Sequence, residues 1–327
     1  NALLVARERA GRWDLMRQLE GRPLRCVAAD PRHPERIYAG TEGQGLWRST
    51  DGGRTWAPSG AGEIGPNVTA VAAAPGTDDR PGAVYAGSEP SAVFRSTDGG
   101  ETWQESRAFR RLPSARTWSF PPRPETHHVR WIAVDPHDAR RVFVAVEAGA
   151  LVHSEDGGEV WIDRTPDGPY DTHTLALHPL AAGRLYSAAG DGYYESRDDG
   201  RSWQSPEAGL RHGYLFGIAV DPADPEAVVV SAASGPGRAY TAAAASTYIY
   251  VRRGNGAWTL AREGLPDPTG TTISVLATHR DRPHTVYAAN NRGLFRSRDA
   301  GARWEPIDVP WSEPFRQQHV QGLVVAE

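Results

Sequence analysis

The 327-residue sequence predicts an all-β fold, a seven-bladed β-propeller, on three observations. One octapeptide is written five times: Ser49–Trp56 (STDGGRTW), Ser96–Trp103 (STDGGETW), Ser154–Trp161 (SEDGGEVW), Ser196–Trp203 (SRDDGRSW) and Ser297–Trp304 (SRDAGARW). Two eroded copies, RERAGRW ending at Trp13 and RRGNGAW ending at Trp258, bring the spacings between tryptophans to 43, 47, 58, 42, 55 and 46 residues. The apolar runs between copies are short and bounded by Gly, Pro and Asp, as strands are and helices are not. A repeat of this length holding several short strands cannot bury its own faces, so the repeats stack as blades around an axis.

Each repeat reads as four strands. The first ends in a turn, as in CVAADPRHPER from Cys26, WIAVDPHDAR from Trp131 and IAVDPADPEA from Ile218. The second follows, as in RIYAG to Gly40, AVYAG to Gly87, RVFVAV to Val146 and TVYAAN to Asn290. The third runs into the octapeptide (GLWRSTDGG) and the fourth carries or follows its Trp. In the octapeptide, Gly and Asp suit a tight turn, Ser and Thr add hydroxyls, and Trp buries a large ring between sheets, so its aspartates are expected to be structural. The chain opens with LLVARER and RWDLMRQL, which align as third and fourth strands, and ends with VQGLVVAE from Val320, which aligns as a first strand. One blade is therefore expected to be shared by both termini, closing the ring and making residues 1–327 one domain.

The Ser-x-Asp-x-Gly-x-Thr-Trp pattern resembles the Asp-box, or BNR, repeat of the sialidase-like superfamily. That superfamily includes sialidases, Asp-box glycoside hydrolases, sortilin-type receptors and photosystem II assembly factor propellers. The resemblance runs the length of the chain and implies the fold, while its members' functions differ. The Arg-Ile-Pro motif of sialidases is absent, so no catalytic residue is carried over from them.

Composition narrows the classes. The 35 glycines and 26 prolines suit many short strands, and a net charge of −4 argues against a nucleic-acid binder. All the basic residues are arginine. Cys26 is the single cysteine, so no intramolecular disulfide forms. No apolar run reaches membrane-spanning length and no signal peptide is visible. The chain reads as soluble, either cytoplasmic or secreted after loss of a signal it does not contain.

Strand order places the loops entering first strands, and those joining second to third strands, on one face, with the octapeptide turns on the other. Function is expected at the first face, where propellers bind ligands at the mouth of the axis. Aligning the first strands puts Asn67, His128, Asp171, Tyr214, Thr271 and His319 four positions before the core residue. Two positions before it stand Arg25, Thr69, Arg130, His173, Phe216, Ile273 and Gln321, with His212 close by. Residues two apart share a strand face, so these groups are expected to be presented together. Glu42, Glu89 and Glu147 follow three second strands alike, and Asp171 and Asp191 add carboxylates. The longest insertion, 104–130, belongs to the same face and carries Arg107, Arg110, Arg111, Arg116, Arg123 and Arg130 against Glu105 and Glu125. Its Trp118, Phe120, Pro121 and Pro122 favour an ordered wall beside the funnel.

These residues predict a small anionic or carbohydrate-like ligand. Arg25, Arg130 and Arg116 would bind anionic groups; Tyr214, His212 and His319 would hydrogen-bond; Trp118 would cover the ligand. A hydrolase needs two carboxylates, and Asp171 and Glu147 are the candidates, with His128 and His173 moving protons. A metal-dependent alternative takes His128, His173, His212 and His319 as ligands of iron, copper or zinc, although no short ligand-spacing motif accompanies them. In a further alternative the chain is a scaffold that presents Arg110, Arg111, Arg116 and Arg123 to a protein partner.

Overall fold

The computed structural model describes residues 1–77 and 80–326 and is almost wholly β. Its one α-helix among the described residues, α1, spans only Glu313–Arg316. The chain divides into two compact units, one chiefly Asn1–Val5 and Arg17–Thr172, the other Ala6–Met16 and His173–Val325.

Antiparallel sheets of propeller type follow one another along the chain. A hairpin of β1 (Leu3–Arg9) and β2 (Arg12–Gln18) comes first. The hairpin is divided between the units, and the first unit then holds β3 (Leu24–Ala29), β4 (Ile37–Thr41), β5 (Leu46–Ser49) and β6 (Ala57–Ser59). Next are β7 (Val68–Ala73), β8 (Val84–Ser88), β9 (Val93–Ser96) and β10 (Gln104–Glu105), then β11 (Val129–Val134), β12 (Val142–Val146) and β13 (Ala150–Ser154). The second unit holds β14 (Thr172–His178), β15 (Ala181–Ala189) and β16 (Gly192–Ser196), apart from Thr172 itself. It goes on with β17 (Tyr214–Asp221), β18 (Asp224–Ala233), β19 (Thr247–Arg253) and β20 (Thr259–Ala261). Last are β21 (Val275–Thr278), β22 (Val286–Asn290), β23 (Gly293–Ser297) and β24 (Glu305–Ile307).

The expected count of seven blades is corrected to six. Among the described residues six sheets have three or four strands, whereas β1 and β2 pair only with each other. The eroded copy at Trp13 is a two-residue hairpin turn, with Ala10 and Gly11 at φ 49° and 77°, and Trp13 lies inside β2. Residues 320–326, where a closing strand was expected from Val320, carry no strand assignment. Loss of the octapeptide alone does not remove a blade. Trp258, in the other eroded copy, is 3% exposed, packs edge-on against Tyr193 and donates from Nε1 to the Pro206 carbonyl.

The octapeptide is a closed hydrogen-bond device. Ser49 Oγ donates to Asp51 Oδ1 (2.8 Å) and accepts from Gly53 N (2.9 Å), while Asp51 accepts from Thr55 N (2.9 Å) and Thr55 Oγ1 (2.6 Å). The same serine-to-aspartate and glycine-to-serine bonds recur at Ser96, Ser154, Ser196 and Ser297. The aspartates are structural, as expected. Neighbouring blades then lock onto these turns: Tyr38 OH donates to Gly99 O, and Ser59 Oγ donates to Gly100 O while accepting from Trp103 Nε1. Glycines let strands of adjacent blades approach, since a Cβ on Gly40 would lie 2.7 Å from Val68 O.

A buried ion pair ties β16 to β19. Arg252 (2% exposed) meets Glu195 (3%), Tyr193 OH donates to Glu195 Oε2 at 2.8 Å, and the guanidinium lies over the Tyr193 ring. Removing one partner strands the other's charge in the core, so Glu195→Gln is expected to lose about 3 kcal/mol in urea unfolding. Glu195→Leu combined with Arg252→Met is expected to recover most of it.

Acid sensitivity follows from the turns. The Thr55 hydroxyl and N–H hold the Asp51 carboxyl well below its usual range. At Asp98 burial works upward, but bonds from Thr102 and Ser96 outweigh it and bring the value down to about 2. Each carboxyl binds its proton more weakly folded than unfolded, so its contribution is present at neutral pH and disappears as pH falls from about 4 towards 2. The urea midpoint should drop through that window, and Asp98→Asn should start lower at pH 7 and fall less steeply.

Candidate functional site

At the start of each first strand in the first unit the register shifts by one residue. The shifts lie between Leu24 and Cys26, Val68 and Ala70, and Val129 and Trp131. Arg25, Thr69 and Arg130 are therefore the extra residues of β-bulges, which re-aim their side chains and break the two-residue alternation assumed from the sequence. Thr69 Oγ1 is used between blades, donating to Val129 O at 2.6 Å.

Arg130 and His128 both converge on Glu147, which follows β12. His128 Nε2 lies 2.7 Å from Glu147 Oε2, and Arg130 Nε lies 3.4 Å from the same oxygen. All three side chains are largely buried, at 10%, 14% and 15% exposure. Phe120, from the insertion, sets its ring edge-on to His128 at 4.9 Å between centroids. The far nitrogen, His128 Nδ1, is buried with no hydrogen-bond partner among the described residues. Next to this group, Asp171 Oδ1 accepts from Ala148 N at 2.8 Å and holds a turn whose Ala148 has φ 48°. The other two glutamates of the repeat are also paired. Glu42 meets Arg25 at 3.2 Å and Glu89 takes both terminal nitrogens of Arg123, at 2.9 and 3.0 Å.

The insertion is ordered. Short 3-10 turns at Phe109–Arg111 and Pro113–Thr117 drive Phe109, Leu112 and Trp118 into the core. Trp118, placed over a ligand by the sequence reading, is 6% exposed; it packs on Phe109 and bonds Ser114 Oγ through Nε1. Arg116 is exposed on the outer side of the same turn.

In the second unit the remaining residues fall into two groups. His173, Tyr214, Phe216, Tyr240 and His319 form a chain of ring contacts with centroids 5.0–6.1 Å apart, in which Tyr214 and Tyr240 join through their hydroxyls and His173 Nδ1 lies 2.5 Å from Leu215 O. His212 stands in a different stack, flat on Tyr248 at 3.9 Å and bonded to Tyr250 OH. Burial, with Arg211 adding, lowers its pKa. His173 and His319 thus share one ring cluster, His212 belongs to another, and His128 lies in the first unit. Phe120 and Tyr240 were missing from the sequence reading as site neighbours; Phe120 lies in the insertion and Tyr240 in the loop between β18 and β19.

The repeat model for BNR/Asp-box matches residues 94–105. The chain carries the Asp-box repeat. Among solved structures this Asp-box propeller resembles an ancestral GH74 enzyme (TM-score 0.67, 19% identity), over 90% of this chain and 39% of the enzyme. A GH74 enzyme of Niastella koreensis gives 0.65 and 17%, over 90% and 47%. YCF48 bound to D1 peptide gives 0.63 and 17%, over 95% and 90%. The chain spans less than half the length of the two GH74 enzymes and most of YCF48. At these identities the likeness establishes the fold alone, and no curated protein matches the sequence.

Glu147 is the keystone of the group, since its removal leaves a guanidinium and an imidazole without their shared acceptor. Glu147→Gln is expected to cost about 2 kcal/mol in urea unfolding, and the Arg130→Met, Glu147→Met pair less than that single change.

Proposed function

We propose that this Asp-box propeller is a binding protein whose first unit takes a hydroxyl-bearing, carbohydrate-like ligand at His128, Glu147 and Arg130. The observation that carries this reading is the buried, partnerless His128 Nδ1. Glu147 accepts from Nε2, so a ring with one proton keeps it there and offers Nδ1 as a fixed lone pair. A lone pair in an apolar wall selects a hydrogen-bond donor, which a sugar hydroxyl is and a carboxylate or sulfate is not. Of the arginines meant for an anion, Arg25 and Arg130 each face a glutamate, and only Arg116 is left exposed. The resemblance to Asp-box glycoside hydrolases agrees with a carbohydrate ligand. Binding is favoured over hydrolysis because Glu147 and Asp171 are both held by protein donors.

A second reading rests on a separate observation. Arg107, Arg111 and Arg116 are exposed and have no acidic partner among the described residues, on a loop anchored by Phe109 and Trp118. Such a rigid basic surface suits an acidic protein segment, and YCF48, which shares the fold over most of its length, is seen bound to D1 peptide.

Glycan-array screening followed by calorimetry tests the first reading. The expected result is binding that weakens about tenfold in His128→Ala and is untouched by Arg111→Glu with Arg116→Glu. A folded protein that binds no glycan, or binds equally with His128→Ala, overturns it.

A further inference from the structure

A cavity of about 580 Å³ lies within the second unit, lined by residues other than His128, Glu147 and Arg130, and its volume is ordinary for a small-molecule site. Its floor is polar and set in advance. Thr271, Ser274 and Asn290 are 4%, 3% and 1% exposed, with Thr271 Oγ1 donating to Asp267 O, Asn290 Nδ2 donating to Ser274 Oγ, and Asn290 Oδ1 accepting from Arg292 N. Tyr248 forms a wall and is clamped from behind by the His212 ring. Leu265 and Pro266 add an apolar side.

The lining also carries two exposed charges, Arg262 and Asp267. Neither has an oppositely charged partner among the described residues, although arginine–carboxylate pairs are the habit of these sheets: Arg252 with Glu195, Arg296 and Arg298 with Glu305, Arg303 with Glu263. Asp267 accepts at Oδ1 from Thr269 N and has no hydrogen bond at Oδ2 among the described residues. A site with one uncommitted cation and one uncommitted anion is complementary to a ligand carrying both signs. An anion alone would meet Asp267 repulsively, and a cation alone would meet Arg262.

We infer that this cavity binds a small zwitterion of dipeptide size, with its carboxylate on Arg262, its ammonium on Asp267 and its side chains against Tyr248, Leu265 and Pro266. The hydroxyls and amide of the floor keep their internal bonds and serve as a preorganised base.

Calorimetry and thermal shift on the full chain, with free apolar dipeptides such as Leu-Leu as probes, test this. Free dipeptides are expected to bind and raise the melting temperature, and N-acetylation or C-amidation to weaken binding about tenfold each. Arg262→Gln should abolish the effect of amidation and Asp267→Asn that of acetylation. Both positions are exposed, and unchanged circular dichroism confirms that the variants fold. Absence of binding by free dipeptides, or equal binding of capped and free forms, overturns the inference. Neither outcome bears on His128, which a glycan titration reads separately.

Discussion

Five serine hydroxyls, each bonded to the carboxylate two residues on and to the glycine N–H four residues on, hold the blades of this protein. A tight turn between third and fourth strands would otherwise expose backbone donors that the sheet cannot satisfy. The Asp-box satisfies them with side chains and, by fixing the turn, fixes where the following Trp enters the seam between sheets. The preceding blade uses that fixed surface as its anchor, as Tyr38 does at Gly99 and Tyr85 at Gly157. Stability is thus handed from turn to neighbouring sheet, and the turns are excluded from ligand chemistry because their carboxylates have no free work to do.

The opposite end of each sheet is relieved of that duty, and its irregularity is what the proposed site draws on. A bulge at the start of β11 brings His128 and Arg130 to one carboxylate, although their two-residue spacing would otherwise have set them side by side along a strand face. The same glutamate position is used in the preceding blades for Arg25–Glu42 and Arg123–Glu89, so charge pairing is the inherited role. His128 is the departure from it: an imidazole buried beside the pair, with one nitrogen engaged and the other without a hydrogen-bond partner among the described residues.

Much of this was legible in the sequence. The octapeptides gave the fold class, the strand order and the end of the sheet on which His128, Glu147 and Asp171 would stand, because turn chemistry is local. The blade count was not legible, because Trp13 marks a repeat of which only the β1–β2 hairpin is assigned, and a hairpin's own pattern says nothing of what lies beside it. Bulges were invisible for the same reason, being a property of pairing between β11 and β12. Trp118 and Phe120 were readable as ordered, but which of them would be core and which would touch His128 depended on how the 3-10 turns packed. The Tyr248 cavity left no mark, since its floor is built from Thr271, Ser274 and Asn290, residues that look like ordinary strand-end hydroxyls and amides.

The central claim is that Glu147 fixes His128 with its proton on Nε2 and leaves Nδ1 as an acceptor for a ligand hydroxyl. Nitrogen-15 NMR of the histidine side chains at neutral pH, before and after addition of an array-selected oligosaccharide, measures this directly. The account predicts an Nε2–H tautomer for His128 in the free protein and a ligand-induced shift confined to Nδ1. A proton on Nδ1 in the free protein, or a saturated complex in which His128 does not move, would contradict it.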